Sequence, residues 1–411
     1  MNFEVFANVF QAPQFQLVFN IFLTTAPFWV TAFLALWLSN IWLAYRRTLF
    51  FASLSNILLE VKLPKEIFKS PKAMEFLFSA LFQTGGEGNW YDVYWKGQTR
   101  PWYSFEICSI DGKLHFFIWT QKKFKNLIEA NLYSQYPGIE IHEVPDYVTT
   151  VGFNPDTHKA FTTEFELAKP DPFPLKTYVD YGMDKDPKEE HKIDPMTPLV
   201  EFLASSVGMG HNVWIQIIAR AHKAEDWDPV KKALVDDRWA KGAEKEIDKI
   251  RAATKGKEPG DPPRKLTKVE EDQIVAIQRS VTKPGFDVGI RAVYIAPTDI
   301  FNSAVSAGVV AGFRNYNSGE LNGFKATRNP DATVSYPWQF IKKGKQNGLK
   351  QDMINAYKHR GYFYNEFSQP YFVLNTEELA TIFHLPGGVA TTPAFDRIGS
   401  KKAEAPANLP L

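Results

Sequence analysis

The sequence predicts an α+β protein: an N-terminal transmembrane helix, then two ferredoxin-like (split β-α-β) modules with a charged helical insertion. Three observations predict this. Residues Val5 to Tyr45 carry no Asp, Glu, Lys or Arg, in a chain of 411 residues that is 23% charged. After them the order strand, helix, strands, helix, strand can be traced once and then largely retraced. Residues 231–275 hold 12 basic and 10 acidic side chains with few large apolar ones. The expected division is 1–51 for tail and transmembrane helix, 52–150 and 165–340 for the two modules, 229–280 for the insertion, 341–399 for a closing helical segment and 400–411 for a linker-like tail.

The apolar stretch is densest from Leu17 to Tyr45. A spanning helix needs about 20 mainly apolar residues, so there is room for tilt. Pro27 marks a kink or the true start. Trp29, Trp37, Trp42 and Tyr45 are candidates for the membrane interfaces. Arg46 and Arg47 follow at once, then Lys62, Lys65, Lys69 and Lys72. Positive residues stay inside, which predicts a single pass through the cell membrane with a short external N-terminus and a cytoplasmic bulk. A signal peptide fits poorly, because no basic leader and no small-residue cleavage site frame the stretch.

In the first module, Leu58–Leu63 alternates as a half-buried strand, and Ser70-Pro71 opens a helix that Gly85-Gly86 stops. Strands are expected at Tyr91–Trp95, Trp102–Cys108 and Leu114–Trp119, with Asp111-Gly112 as a hairpin turn. A helix over Lys122–Tyr136 and a strand over Ile139–Val144 complete the plan. In the second module, strands are expected at Leu175–Val179, Val213–Ala219 and Phe286–Ile295. Helices are expected after Asp194-Pro195 and from Ile300 to Tyr316, with a weak last strand near Asp331–Tyr336. Each module is expected to keep its own sheet. The insertion reads as a helical hairpin, Trp239–Ala253 and Lys268–Gln278. It is too charged for a core of its own and projects from the module on a Gly-Pro tip at 256–263.

Net charge is +1, from 47 basic and 46 acidic residues. That excludes the overall basic excess of a dedicated nucleic-acid binder but not a local patch. The compact basic run is Lys342–Lys350. Lys342, Lys343, Lys345, Lys350, Lys358 and Arg360, with Tyr362, Phe363 and Tyr364 close behind, are candidates for contact with single-stranded nucleic acid or anionic lipid. An ordinary surface over a buried aromatic stripe accounts for the same residues. The single cysteine, Cys108, excludes an intramolecular disulfide and a cysteine-rich metal site, and its alternating strand makes it a small buried hydrophobe. His115 and His142 lie in strands without partners at a ligand spacing. Glu377, Glu378 and His384 do not match a metal motif. Asn375 and Glu378 instead form a capping box for a packing helix. No catalytic, metal or cofactor constellation is expected.

Five segments carry a resemblance: FVLNTEELATIFHLP (Phe372–Pro386), KKAEAPANLPL (Lys401–Leu411), DPMTPLVEFLASS (Asp194–Ser206), GFDVGIRAVYIAP (Gly285–Pro297) and AGFRNYNSGELNGFK (Ala311–Lys325). With the apolar anchor, they resemble the membrane-anchored region that precedes the motor in TraG/HerA-like conjugative (type IV secretion) coupling ATPases. The motor's own signature is missing. Lys113, Lys257 and Lys345 each follow a glycine, but none has the second glycine of a phosphate-binding loop. The resemblance therefore implies a non-enzymatic membrane scaffold or adaptor. Its expected partners are the lipid bilayer, a separately encoded coupling ATPase docking near the C-terminal tail, DNA, and a second copy of the chain. The alternative is a membrane-tethered nucleic-acid-binding protein that uses residues 342–364.

Overall fold

The computed structural model describes residues 13–63, 69–185, 194–205, 208–223, 225–228, 233–254, 264–332 and 342–386. The chain separates into two compact units. One joins the residues up to Leu54 with Gly85–Thr99, and the other joins Ser55–Thr84 with the chain from Arg100 onward.

The first unit is built on helix α1, Pro13–Ser53, which Pro27 does not break. Its Phe19–Ser53 portion is long and apolar enough to cross a membrane, with mean hydropathy 1.8 and none of the apolar window buried. Thr24 and Thr25 hydroxyls return to the Asn20 and Ile21 carbonyls at 2.8 Å, which satisfies them within the helix. The expected strand at Tyr91–Trp95 is instead a short helix (α3, Trp90–Tyr94). Aromatic composition suggested a strand, but local capping decides: the Asn89 side chain accepts from Asp92 N at 2.9 Å.

In the second unit, nine strands among the described residues form one antiparallel sheet. Its elements begin with β1 (Asn56–Lys62), α2 (Lys72–Ala80), β2 (Trp102–Ile110), β3 (Lys113–Gln121), α4 (Lys125–Gln135) and β4 (Glu140–Val144). They continue with β5 (His158–Leu167), α5 (Thr197–Ser205), β6 (Asn212–Ala221), β9 (Gly285–Pro297), α8 (Ser303–Arg314) and β10 (Phe324–Thr327). Between β6 and β9 lie a small hairpin, β7 (Glu225–Asp228) with β8 (Ala233–Asp236), and helices α6 (Arg238–Ala252) and α7 (Lys268–Val281). Helix α9 (Lys342–Lys358), β11 (Phe372–Asn375) and α10 (Thr376–Ile382) close the unit. The strand order is β10-β5-β9-β6-β2-β3-β1-β4, with β11 added to β9.

Each half of that order repeats one pattern. Within β1–β4, and again within β5, β6, β9 and β10, the strands run fourth, first, third, second. The two second strands, β2 and β6, pair with each other over Trp102↔Arg220 to Ile110↔Asn212. The expectation of separate sheets is thereby corrected. An open edge of nine residues on each half would expose backbone donors and acceptors, and joining the edges pairs them.

The first strand of the second half is His158–Leu167, not Leu175–Val179. The latter holds turns that pack Leu175 and Tyr178 under α10. The last strand is Phe324–Thr327 rather than Asp331–Tyr336; Pro330–Ala332 is a 3-10 turn, and 333–336 lie outside the described residues. The turn at Asp111-Gly112 is as expected, with φ of 52° and 82°, the backbone of a tight hairpin.

The sheet has two unlike faces. On one, Tyr103, Phe105 and Ile107 of β2, Val213, Ile215 and Ile217 of β6, and Phe286, Val288 and Ile290 of β9 join the main apolar core. Residues of α2, α4, α5, α8 and α10 complete that core. The other face carries Ser104, Glu106 and Cys108, Gln216, Asp287 and Arg291, all buried. The insertion does own a small apolar seam, Ala243, Ile247, Ile274 and Ile277. It also turns back onto the unit: Arg279 pairs with Glu377 at 3.0 Å and Gln273 Nε2 reaches Glu320 O at 2.6 Å. Its tip at 256–263 lies outside the described residues.

Candidate functional site

The second face of the sheet gathers most of the buried charge among the described residues. Register alone sets a polar row across four strands: Glu106 opposite Gln216, Gln216 opposite Arg291, and Arg291 opposite Glu164. Glu106 is fully buried, and its two oxygens accept from Ser104 Oγ (2.6 Å), Gln216 Nε2 (3.0 Å), Tyr147 Oη (2.7 Å) and Arg360 Nε (3.0 Å) and Nη2 (3.2 Å). Arg360 also donates to Asp146 through Nη2 at 2.9 Å and through Nη1. Burial opposes its charge, but Glu106 and Asp146 outweigh that and hold the guanidinium protonated. Arg360 sits at φ 48°, just past the end of α9. A non-glycine residue there costs about 1–3 kcal/mol, which the bidentate carboxylate contacts offset.

Tyr147 and Tyr357 hydroxyls meet at 2.6 Å beside Cys108, whose thiol donates to Tyr147 at 3.1 Å. Burial, then the neighbouring carboxylate, pushes that thiol far up, so it is unreactive at neutral pH. Arg291 is less well served. One Nη2 bond runs to Gly361 O at 2.8 Å and the Tyr362 ring lies 4.9 Å away. That ring packs directly against Gly289, where an added Cβ would overlap it.

At the neighbouring row, Asp287 accepts from Arg220 Nε at 2.8 Å and from His222 Nδ1 at 2.6 Å, with Arg100 Nη1 at 3.4 Å. Burial opposes ionisation, yet His222, Arg220 and Arg100 hold Asp287 below its ordinary range. His222 places its other nitrogen 3.2 Å from Asp237, the residue whose side chain caps α6. Burial lowers its basicity, but the two carboxylates outweigh it and the imidazole is raised toward the charged form. Phe363, Tyr364 and Tyr371 surround the Arg220 guanidinium at 4.5, 5.0 and 5.1 Å.

Beside this cluster is a cavity of about 620 Å³ lined by Asp171, His222, Asp237, Trp239, Lys245 and Tyr371, among others. Burial raises the Asp171 carboxyl, even though Val373 N donates to it at 3.2 Å. Trp239 Nε1 is buried and has no hydrogen-bond partner among the described residues. Both His222 nitrogens are engaged by carboxylates, so in this arrangement the ring links α6 to β9 and leaves no lone pair for a third group. Among the described residues no group of three His, Cys, Asp or Glu could hold a metal ion.

The residues singled out by sequence scatter. Lys345 is exposed on α9. Lys350 pairs with Asp331 at 2.7 Å, and Lys358 donates to Val151 O at 2.8 Å. Arg360 is 1% exposed and points into the sheet, so it is not available to a phosphate. Nothing is described of the Lys342 and Lys343 side chains, and the tail at 400–411 lies outside the described residues. The capping box at Asn375 is present, with Asn375 accepting from Glu378 N and Glu378 from Asn375 N, both at 2.9 Å. Glu378 is fully enclosed and its carboxyl is pushed up to about 8 by burial. His384 meets Asp194 at 3.0 Å, and His115 meets Glu60 at 2.7 Å; both partners are distant in sequence. The charged cluster itself was not singled out. Its signal was present, since Glu106 is the one charged residue of Trp102–Ile110, and Asp287 and Arg291 are the only charges in Gly285–Pro297.

No curated protein matches the chain. A family model described as Domain of unknown function (DUF8128) matches residues 55–397, which begins where α1 has ended and takes in the whole described sheet. With most of its length so matched, the chain belongs to the DUF8128 family.

Proposed function

We propose that this chain is a membrane-anchored scaffold without catalytic activity of its own. In this reading α1 spans the cell membrane, the bulk is cytoplasmic, and the chain works with a separately encoded ATPase of a type IV secretion or conjugation-like DNA-transfer apparatus. The repeated strand order supports reading the sheet as two ferredoxin-like modules joined edge to edge. The observation that carries the scaffold reading is how the buried charges are used. Glu106, Arg360, Asp146, Asp287, Arg220 and His222 close on one another and fasten the covering segments to the sheet. Their role is positional. The ATPase partner rests on the resemblance of the five sequence segments. The basic-aromatic alternative is weakened by the inward pairing of Lys350, Lys358 and Arg360.

Purification of the full chain from its own membranes in mild detergent tests this. An ATPase should accompany it and be lost when residues 400–411 are deleted. The purified chain should not turn over ATP, with or without DNA. Turnover abolished by Lys257→Ala or Lys345→Ala would sink the scaffold reading. Salt-sensitive binding of single-stranded DNA, lost in Lys345→Gln, would favour the alternative.

A further inference from the structure

We propose that residues 85–99 form a second membrane-contacting element, an aromatic foot lying in the lipid headgroup layer beside the end of α1. The inference rests on α1 being a span.

An unbroken chain of rings joins the two segments. Tyr94 stacks on Trp90 (5.8 Å), Trp90 meets Trp95 (6.3 Å), Trp95 meets Trp42 of α1 (5.2 Å), and Trp42 meets Tyr45 (6.1 Å). Trp90, Tyr91 and Trp95 are 66%, 52% and 45% exposed, a dense apolar display within six residues. Such a patch marks an interaction site, and Trp and Tyr are the side chains favoured where one end must be apolar and the other wet.

The foot is fastened to α1 by polar bonds. Trp42 Nε1 donates to Tyr94 O at 2.8 Å, and Arg46 Nε donates to Trp95 O. Gly97, at φ 67°, lies against the Arg46 backbone, where an added Cβ would overlap the carbonyl. Only glycine fits both the conformation and the approach.

The level of attachment is that of a bilayer interface. From Leu17, where the apolar stretch becomes dense, to Trp42 is 42 − 17 = 25 residues. At 1.5 Å each this is about 38 Å, long enough to cross a hydrocarbon core of about 30 Å. Cations stand at the same level: Arg46 lies 5.8 Å over the Trp42 ring and Lys96 5.4 Å over Tyr91. Aromatic rings flanked by Arg and Lys, continuous with an exposed apolar helix, fit lipid headgroups rather than a second copy of the chain.

Cys108 is buried, so cysteines introduced on the surface can be labelled selectively. Nitroxide labels would be placed on Trp90→Cys and, separately, Trp95→Cys in the full chain, in vesicles of phosphatidylcholine and phosphatidylglycerol. Phe33→Cys in α1 and Tyr133→Cys on α4 serve as references. Labels at 90 and 95 should meet oxygen more than a water-soluble nickel complex, at a shallower depth than the label at 33. Accessibility equal to that at 133, with 33 still in lipid, would overturn the foot and leave the span standing. A water-exposed label at 33 would remove both. Labels shielded from both reagents and broadened by spin coupling would assign the patch to a second copy and also overturn it. Tryptophan quenching by lipids brominated near the headgroup is an independent measure. It should fall in Trp90→Phe and Trp95→Phe, and unchanged quenching counts against the proposal.

Discussion

The two faces of the nine-stranded sheet are closed by different physics. On one face, alternate residues of β2, β6 and β9 meet helices chiefly through apolar side chains, and many neighbours share the work. On the other, α9 and the segment after it bury Ile354, Tyr357 and Tyr362 but are also fastened by charged residues, chief among them Arg360 on Glu106 and Asp146. Apolar packing is non-directional and forgiving of sequence. A buried charge pair is specific, and loss of either partner strands the other. The contrast suggests that the apolar face supplies stability and the polar face sets where the covering segment sits.

Phe105 and Glu106 are adjacent residues on opposite faces and give the sharpest test. Glu106→Ala should cost about 3–5 kcal/mol in chemical denaturation, since it leaves Arg360 buried without its counter-charge. Phe105→Ala should cost a similar amount, about 3–5 kcal/mol, through a cavity. Rescue separates them: Glu106→Leu combined with Arg360→Met should recover most of the loss. If the double variant is no more stable than Glu106→Ala, the polar face is not held by a replaceable pair.

Next in size is the capping box. Asn375→Ala should cost about 1 kcal/mol, because Glu378 N loses its acceptor. A loss near zero would mean that α10 is held by its apolar packing and by the ion pairs of Glu377, without help from the cap.

The pH dependence should come from three groups that are raised in the folded state, His222 on the polar face and His384 and Glu378 at α10. His222 is raised in the folded state, so its contribution is complete below the unfolded value of about 6.5 and fades as pH rises through the folded value. The denaturation midpoint should therefore fall on going from pH 6 into the alkaline range, and His222→Gln should make that part of the profile shallower, with the remaining slope left to His384 and Glu378. Smallest of all, Lys345→Gln should change stability by less than about 0.5 kcal/mol, as expected for an exposed side chain. A larger change would place that lysine in a contact that the fold does not display.

Much of the apolar face was legible in the sequence. The strands at Val213–Ala219 and Phe286–Ile295, the Asp111-Gly112 turn, the helices expected at Trp239–Ala253 and Lys268–Gln278 and the capping box at Asn375 all depend on neighbours a few residues apart. Tyr91–Trp95 was misread because aromatic composition favours a strand, while the deciding bonds come from Asn89 and from α1. Leu175–Val179 was misread because it is placed by α10, about 200 residues onward, where Thr177 Oγ1 donates to Glu377 and Tyr178 N to Thr381 Oγ1. Arg360 looked like part of a basic surface, since nothing near it in the chain indicates that Glu106 lies beneath it.

The 41-residue uncharged stretch, the strand periods and the repeated strand-helix order follow from local spacing and from water's rejection of apolar surface. The tertiary structure alone decided that the two halves share one sheet through β2 and β6, since edge pairing is set by backbone groups that every residue carries alike. It also decided which charges are buried. A carboxylate in a strand reads the same whether solvent or a guanidinium 254 residues away completes its hydrogen bonds. Only the folded chain brings that partner within 3.0 Å.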